Sequence, residues 1–213
     1  MKLLLQLPSL FADWANGIFA VLIVSWFIGI EPTWWYFLIG ILLSHSPDLD
    51  ALPELLRRGK VAASAEHPED HRSLLHYPIP VLMLLAFLIP VDPYWGSVWC
   101  VAVLLHYLND FYGTGWGLQL LWPFSTKNYK LLGRRVNRLE YILRKQGDWE
   151  QLSEEERRLR YVVSWNQAEL PQYILRWGID DWVRPYYWNV NWISVIEYGL
   201  FILAIILMVL SLV

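Results

Sequence analysis

The hydrophobic residues of this 213-residue chain gather in long runs that are separated by short polar stretches. The clearest run covers residues 192–213 and contains one ionisable side chain, Glu197. A run of this length can cross the hydrocarbon core of a bilayer, which is about 30 Å thick. The other runs are shorter, and they cover residues 14–30, 34–43, 77–91 and 94–108. The pattern predicts five membrane helices.

The spacing of the runs favours a membrane bundle over the buried helices of a soluble protein. Two pairs of runs are joined by very short turns, at residues 31–33 and 92–93. Aromatic residues such as Trp34, Trp95 and Trp192 stand at run ends, where Trp and Tyr are enriched at membrane interfaces. We therefore predict an all-α fold, a multi-pass membrane helical bundle of about five membrane helices.

The basic residues indicate how this bundle is oriented. With a cytoplasmic N-terminus, residues 1–13, 44–76 and 109–191 lie inside, and all 17 Lys and Arg residues fall within these segments. An excess of Lys and Arg in cytoplasmic loops is the usual bias of membrane proteins. We expect a multi-pass protein of the inner membrane with its C-terminus outside.

The same pattern divides the chain into three parts. We expect a membrane bundle that carries the candidate site over residues 1–124 and a cytoplasmic or interfacial helical segment over residues 125–191. The last membrane helix then covers residues 192–213.

The middle segment shows helical periodicity and signals for helix ends. Apolar residues recur at helical spacing at Leu131, Leu132, Val136, Leu139 and Leu143. Gly147 can end that helix, and Ser153 with Glu156 fits a capping box at the start of the next. The Trp- and Tyr-rich stretch that begins at Pro171 predicts an amphipathic segment on the membrane surface.

Composition excludes several classes of protein. Hydrophobic residues make up 56% and charged residues 17% of the chain, against about 25% charged residues in soluble domains, and this rules out intrinsic disorder. The single cysteine, Cys100, cannot form a disulfide framework. The net charge of -3 argues against a nucleic-acid partner. We interpret the basic residues as a solvated face that is attracted to anionic membrane lipid.

All five histidines lie between positions 45 and 106, together with several carboxylates. They form three clusters, over residues 45–50, 67–76 and 106–110. In the predicted topology each cluster lies at or beside a cytoplasmic helix end, so all three are expected at the same depth. Mixed sets of imidazole and carboxylate suit zinc, manganese or iron, and several carboxylates can support two ions.

The spacing within the clusters agrees with metal ligation. His106 and Asp110 are four residues apart, so they share a helix face and can chelate one ion. Each cluster taken singly also fits a structural role, and it is their combination that favours a metal site. The predicted ligands of one or two divalent ions, zinc or manganese, are Asp48, Asp50, His71, His76, His106 and Asp110, with His45 and Asp13 as additional ones.

Other chemistries lack their motifs. The sequence contains neither the His-Glu-x-x-His of zinc proteases nor the Gly-x-Ser-x-Gly of serine hydrolases. The glycine-rich residues 113–117 follow a predicted helix and contain no lysine. We interpret them as a sharp turn rather than a phosphate-binding loop.

In their order along the chain and in their amino-acid sequences, the three clusters resemble the motifs of the YdjM-like membrane-bound metal-dependent hydrolases. The matching pieces are SPDLD at 46–50, HRSLLH at 71–76 and HYLNDFYGTGWGLQLLWP at 106–123. The resemblance covers about residues 10 to 125. It implies hydrolysis at a metal site, and it does not imply a substrate.

The chain departs from the family pattern at three positions. Ser73 stands where the family usually has Gly, and Leu75 stands where it has Thr. Asp13 precedes Gly17 by four residues, where the family often has a His. An aspartate at this position can still ligate a metal or orient a ligand.

Our leading hypothesis is an integral-membrane hydrolase in which metal-activated water attacks an ester or phosphoester at the cytoplasmic face. Asp70 or His67 would shuttle the proton, and Arg72 would bind an anionic substrate oxygen. A site recessed at the membrane surface favours an amphiphilic substrate such as a membrane lipid. Two alternatives stay open: a non-catalytic metal-binding or transport protein, and a scaffold that binds a partner through residues 125–191. The oligomeric state also stays open.

Overall fold

The computed structural model describes residues 6–58, 61 and 74–213, and most of them are helical. The helices in chain order are α1 (Phe11–Ile28), α2 (Trp34–Ser44), α3 (Leu52–Arg58), α4 (Pro78–Ala86), α5 (Pro93–Tyr112), α6 (Glu140–Gln146), α7 (Glu154–Arg157), α8 (Leu170–Trp177), α9 (Val183–Tyr187) and α10 (Trp192–Ser211). Two strands, β1 (Asn128–Gly133) and β2 (Arg160–Trp165), form an antiparallel sheet. Short 3₁₀ turns cover Leu7–Leu10, Pro47–Ala51, Leu74–His76 and Trp149–Gln151.

The long helices form a bundle around α1. Helices α1, α2 and α5 pack against one another, α10 packs against α1, and α4 packs against α5. Small side chains such as Ala15, Ala20 and Ala102 are buried in the shared core. Small residues let helix backbones approach closely, which is how helices associate where lipid replaces water.

Helices α1 and α2 cross in direct backbone contact at Gly17 and Gly40. A Cβ atom on Gly17 would lie 2.5 Å from the carbonyl oxygen of Gly40, and one on Gly40 would lie 2.6 Å from that of Gly17. No other residue type fits this crossing without moving a helix. Near it, the hydroxyl of Ser44 donates to the backbone carbonyl of Asp13 at 2.6 Å. The crossing therefore fixes the end of α2 against the start of α1.

Local signals set the ends of the bundle helices. Helix α1 ends at Gly29 with φ 77°, which is a frequent way for a helix to stop. Asp92 caps α5 by accepting a hydrogen bond from the Trp95 N–H, and Asn191 forms a capping box with Ser194 at the start of α10. Successive bundle helices reverse direction, so that α1, α4 and α10 begin and α2 and α5 end at the same end of the bundle.

In the described part of the chain, two helices are long and apolar enough to cross a membrane, Leu7–Ile28 and Trp192–Ser211. Helix α2 is shorter, with 11 residues, and α4 has 9. At about 1.5 Å per residue, each of these covers roughly half of a hydrocarbon core about 30 Å thick. The prediction of a mostly helical fold is thus confirmed, whereas the prediction of five membrane helices is not.

The all-α prediction needs one correction, because residues 128–133 and 160–165 form a sheet. Leu131 and Leu132 lie in β1, and α6 begins only at Glu140, so the helix predicted through Leu131 and Val136 is wrong. These residues form a strand because they pair with a second strand some thirty residues later in the chain, with Asn128 opposite Trp165. Local periodicity cannot report a partner so distant along the chain.

The glycine-rich turn after α5 supports this sheet. Gly117 has φ 75°, and a Cβ atom there would lie 2.1 Å from the carbonyl oxygen of Tyr129. The absence of a side chain lets Leu118 exchange two backbone hydrogen bonds with Tyr129, at 3.0 and 2.7 Å. The interpretation of residues 113–117 as a sharp turn thus agrees with the structure.

The rest of segment 125–191 follows the sequence signals more closely. Gly147 ends α6 in the left-handed conformation with φ 74°, and the capping box of Ser153 and Glu156 is present at α7. The amphipathic stretch includes α8, whose Ile174 and Trp177 are buried in a core that this segment forms together with Trp116. The apolar face of α8 therefore packs inside the protein instead of on a membrane surface.

Candidate metal centre

The described residues of the three histidine-containing clusters meet at one end of the bundle. Asp13 lies in the first turn of α1, Asp48 and Asp50 lie in the 3₁₀ turn after α2, and His76 ends the 3₁₀ turn before α4. The remaining two residues of the centre, His106 and Asp110, lie one turn apart near the end of α5. Alternation of helix direction brings these sequence-distant residues to one place.

Two imidazole nitrogens and two carboxylate oxygens face one another at the middle of the site. The Nε2 atom of His76 lies 3.3 Å from Asp110 Oδ2 and 3.6 Å from Asp48 Oδ1. The Nε2 atom of His106 lies 3.5 and 3.7 Å from the same two oxygens. Both imidazoles are buried, with 1% and 4% of their surface exposed.

This arrangement fits a divalent metal ion. Ligand atoms about 2.0–2.2 Å from a tetrahedral zinc ion lie roughly 3.3–3.6 Å apart, which is close to the spacing of this set. The buried Nε2 atom of His106 makes no hydrogen bond within the described residues. Together with His76 and Asp48, His106 forms a group whose ligand atoms lie within 4.8 Å of one another. These residues could hold a metal ion.

The opposite nitrogen of each imidazole contacts a carboxylate. The Nδ1 atom of His76 lies 2.9 Å from Asp50 Oδ2, and the Nδ1 atom of His106 lies 2.7 Å from Asp13 Oδ1. Histidines that bind metals commonly donate their other N–H to a carboxylate, which fixes the ring and the tautomer. Asp50 and Asp13 thus lie where they orient the imidazoles, with Nε2 left to face the middle of the site.

A second group of possible ligands adjoins the first. The Nδ1 atom of His45 lies 3.9 Å from Asp13 Oδ2 and 3.9 Å from Asp48 Oδ2, and these three residues form a second set that could hold an ion. One carboxylate, Asp48, belongs to both sets and presents Oδ1 to the first and Oδ2 to the second. A carboxylate so placed is suited to a site with two ions.

The charges of the cluster are strongly coupled. Burial disfavours the charged form of His76, but the carboxylates of Asp110, Asp48 and Asp50 outweigh it and raise the pKa of the imidazole to about 10. Burial also opposes ionisation of Asp48, yet the nearby histidines hold the pKa of its carboxyl well below the usual range. Because a metal ion needs the neutral imidazole, an ion bound at His76 would displace this proton.

Three hydrogen bonds, which sequence reasoning missed, hold the loops of the site. The Trp99 indole N–H donates to Ser46 Oγ at 2.8 Å, beside the turn that carries Asp48. The Tyr107 hydroxyl donates to the backbone carbonyl of Leu75 at 2.6 Å, which fixes the residue before His76. The third is the hydrogen bond from the Ser44 hydroxyl to the backbone carbonyl of Asp13. No local motif distinguishes such residues from ordinary interfacial aromatics and helix-end serines.

Glu197 is fully buried in the first turns of α10. Its Oε1 atom accepts a hydrogen bond from the Asn109 amide at 3.1 Å, and Asn109 precedes Asp110 in α5. The last helix is therefore tied to the end of α5 next to the site. The sequence signal for Glu197 was its position as the single ionisable group of an apolar run.

Four predicted site residues cannot be placed. His67, Asp70, His71 and Arg72 lie outside the described residues, so the predicted ligand role of His71 and the predicted catalytic roles of the other three stay predictions.

Replacing the orienting carboxylates is expected to weaken metal binding without abolishing it. Asp13→Asn and Asp50→Asn keep the side-chain shape but remove the charge behind each imidazole, and such changes reduce metal affinity by about 10–100-fold. Competition with a chromophoric chelator measures this affinity in the detergent-purified protein. Asp92→Asn, on α5 at its other end, is the matched control and should bind metal as the wild type does. A loss in Asp50→Asn as large as that in Asp110→Asn would mean that Asp50 is itself a ligand.

Comparison with known proteins identifies the family of this chain. No curated protein and no solved structure matches the sequence. The family described as YdjM inner membrane protein matches residues 13–150, more than half of the chain. The match contains every residue of the site from Asp13 to Asp110, whereas Glu197 lies beyond it. The resemblance inferred from the three clusters is thereby confirmed, and this chain belongs to the YdjM inner membrane protein family.

Proposed function

We propose that this protein is a membrane-bound, metal-dependent hydrolase that cleaves an ester or phosphoester bond at the cytoplasmic face of the inner membrane. One observation carries the proposal: two buried imidazole Nε2 atoms and two carboxylates converge, and each imidazole has a carboxylate behind it. Structural histidines need no such convergence, since one hydrogen bond satisfies each ring nitrogen.

Asp48, His76, His106 and Asp110 would hold the first divalent ion, zinc or manganese, and the set around His45 would hold a second. When bound, such an ion supplies Lewis acidity and activates water at neutral pH. Asp13 and Asp50 keep the imidazoles in the orientation that ligation requires. Their fixed positions remove the need for side chains to reorganise during the reaction.

The substrate would approach from the side of Asp48 and His45. Their side chains are 36% and 27% exposed, whereas those of His76 and His106 are almost completely covered. Asp70 or His67 would accept the proton of the reacting water, and Arg72 would bind an anionic oxygen of the substrate with two hydrogen bonds.

The proposal includes a bundle of five membrane helices with the site end in the cytoplasm. The outward faces of the short helices support it, because Leu42 on α2 is 71% exposed and Leu84 on α4 is 65% exposed. Exposed apolar surface of this extent is expected where lipid is the solvent. The 17 Lys and Arg residues then all lie on the side of the site.

Metal removal tests the proposed activity. We expect the detergent-purified protein to hydrolyse a chromogenic phosphoester or acyl ester, to lose this activity after chelation, and to regain it with zinc or manganese but not with calcium. The reason is that a mixed set of imidazole and carboxylate ligands suits the first two ions, whereas calcium prefers an all-oxygen set. Asp110→Asn is the inactive control.

Hydrolysis that survives both chelation and Asp110→Asn would refute the proposal. Stoichiometric metal without hydrolysis of either ester class would favour the non-catalytic metal-binding alternative.

A further inference from the structure

An apolar groove runs along the outside of the bundle between α1, α2 and α10. Its volume is about 350 Å³, and every residue that lines it has an apolar or aromatic side chain. Trp14 and Phe201 lie at the end near the site, and Trp34 and Leu212 lie at the other end. Such a lining binds hydrocarbon and offers no partner to a polar ligand.

The near end of this groove adjoins the candidate metal centre. Ile41 lines the groove and precedes His45 by four residues, so both lie on one face at the end of α2. His45 in turn lies 3.9 Å from carboxylate oxygens of Asp13 and Asp48. On α1, the groove residue Trp14 directly follows Asp13. The groove lining therefore comes within one helical turn of His45 on α2 and within one residue of Asp13 on α1.

The length of the groove matches one leaflet of a bilayer. Its lining on α10 extends from Phe201 to Leu212, which is about 16 Å at 1.5 Å per residue. Half of a hydrocarbon core is about 15 Å thick. A groove of this length can accommodate one acyl chain with its head-group end toward the site.

The surroundings identify the occupant as hydrocarbon from the membrane. Leu38 on the α2 wall is 52% exposed, and the neighbouring outward residues of α10, Ile202 and Ile206, are 59% and 50% exposed. In a protein of an inner-membrane family, these faces contact lipid. A lipid acyl chain reaches the groove sideways from the bilayer without crossing water.

We infer that the groove binds one acyl chain of a membrane lipid and places the ester or phosphoester of that lipid at the candidate metal centre. This inference rests on the proposed function and names its substrate class. In the reaction, water gives its oxygen to the phosphorus or acyl carbon, the bond to the alcohol oxygen breaks, and the leaving alcohol takes up a proton. No reactant besides lipid and water is required.

A photo-crosslinking experiment tests the binding step separately from activity. The probe is a phosphatidylethanolamine with a diazirine on one acyl chain, in vesicles of phosphatidylethanolamine and phosphatidylglycerol that contain the full-length protein. We expect crosslinks, located by mass spectrometry, to concentrate on groove residues such as Ile18 and Ile205. Leu38→Trp fills the groove from α2 and should reduce these crosslinks about tenfold, in line with the selectivity of apolar pockets for chain size.

Matched variants give the control. Leu42→Trp introduces the same side chain on an exposed part of α2 outside the groove and should leave the crosslinks unchanged. Ile205→Trp and its neighbour Ile206→Trp repeat the comparison on α10. Equal crosslinking of all exposed helix faces, or equal effects of Leu38→Trp and Leu42→Trp, would overturn the inference, because the groove would then hold bulk lipid or detergent without preference.

Hydrolysis assays separate failure of the groove from failure of the proposed function. If the groove binds an acyl chain and the protein is a hydrolase, Leu38→Trp lowers kcat/KM for a long-chain lipid about tenfold. The kcat/KM for a short-chain soluble ester should change by no more than about twofold. An equal loss for both substrates would contradict acyl-chain binding in the groove. If the wild-type protein hydrolyses nothing, the proposed function fails, and the crosslinks alone decide whether the groove binds a chain.

Discussion

We expect His106→Ala and Asp110→Asn each to reduce metal affinity by more than about 100-fold. Removing a carboxylate that only orients a ligand reduces metal affinity by at most about 100-fold, and removing a ligand itself should cost more. Each substitution removes one member of the four-atom set at the middle of the site, where Asp110 Oδ2 lies 3.3 and 3.5 Å from the two imidazole nitrogens. Elemental analysis of the detergent-purified protein should show metal in the wild type and almost none in either variant.

The control for this result is Asp92→Asn. Asp92 is the N-cap of the same helix, at the end far from the site. Because Asn caps a helix about as well as Asp, this variant should fold normally and retain metal. Metal at wild-type level in both His106→Ala and Asp110→Asn would show that the cluster is only a structural network of ion pairs. Hydrolytic activity should disappear with the metal in both variants.

Gly40→Val is expected to damage the bundle and the site together. Its side chain would have to enter a space in which a Cβ already lies 2.6 Å from the Gly17 carbonyl oxygen and 2.6 Å from a methyl group of Val21. Overpacking against backbone costs about 3 kcal/mol, which corresponds to a fall in Tm of roughly 6–12 °C for a chain of this size. Thermal unfolding in detergent measures the change.

The same substitution should weaken metal binding although Gly40 lies outside the site. Moving α2 away from α1 breaks the hydrogen bond from Ser44 to the Asp13 backbone and shifts the carboxylate behind His106. Gly199→Val on α10 is the matched control, because a Cβ there meets nothing within 4 Å and valine forms helix at least as well as glycine. If Gly40→Val unfolds at the same temperature as Gly199→Val, the close crossing does not support the bundle.

Much of the candidate site could be predicted from the sequence because its members stand at helix ends. Helices that alternate in direction must bring every second end to the same side, so the clusters at 45–50, 67–76 and 106–110 were expected at one depth. The described members of these clusters lie together, and Asp13 at the start of α1 joins them. Helix geometry alone predicts that His106 and Asp110, four residues apart, lie on the same face of α5.

The roles within the site could not be predicted in the same way. Asp50 was a candidate ligand of the same rank as Asp48, and Asp13 was an additional one; it is their contact with Nδ1 atoms that distinguishes both from Asp48. Which carboxylate meets which ring nitrogen depends on side-chain directions and on chain segments as much as 93 residues apart. No periodicity in the sequence encodes such pairings.

The sequence by itself determined the helical runs, the helix-end signals at Gly147 and Ser153, and the end of the bundle where the described histidines gather. These features depend on hydrophobic periodicity and on backbone groups within one helical turn, so neighbouring residues suffice to specify them. Only the tertiary structure decided the β1–β2 sheet, the glycine crossing, the burial of Glu197 beside Asn109 and the division of the carboxylates between the two sides of the imidazoles. Each of these depends on contacts between residues far apart in the chain, whose energies exist only once the helices and strands have packed.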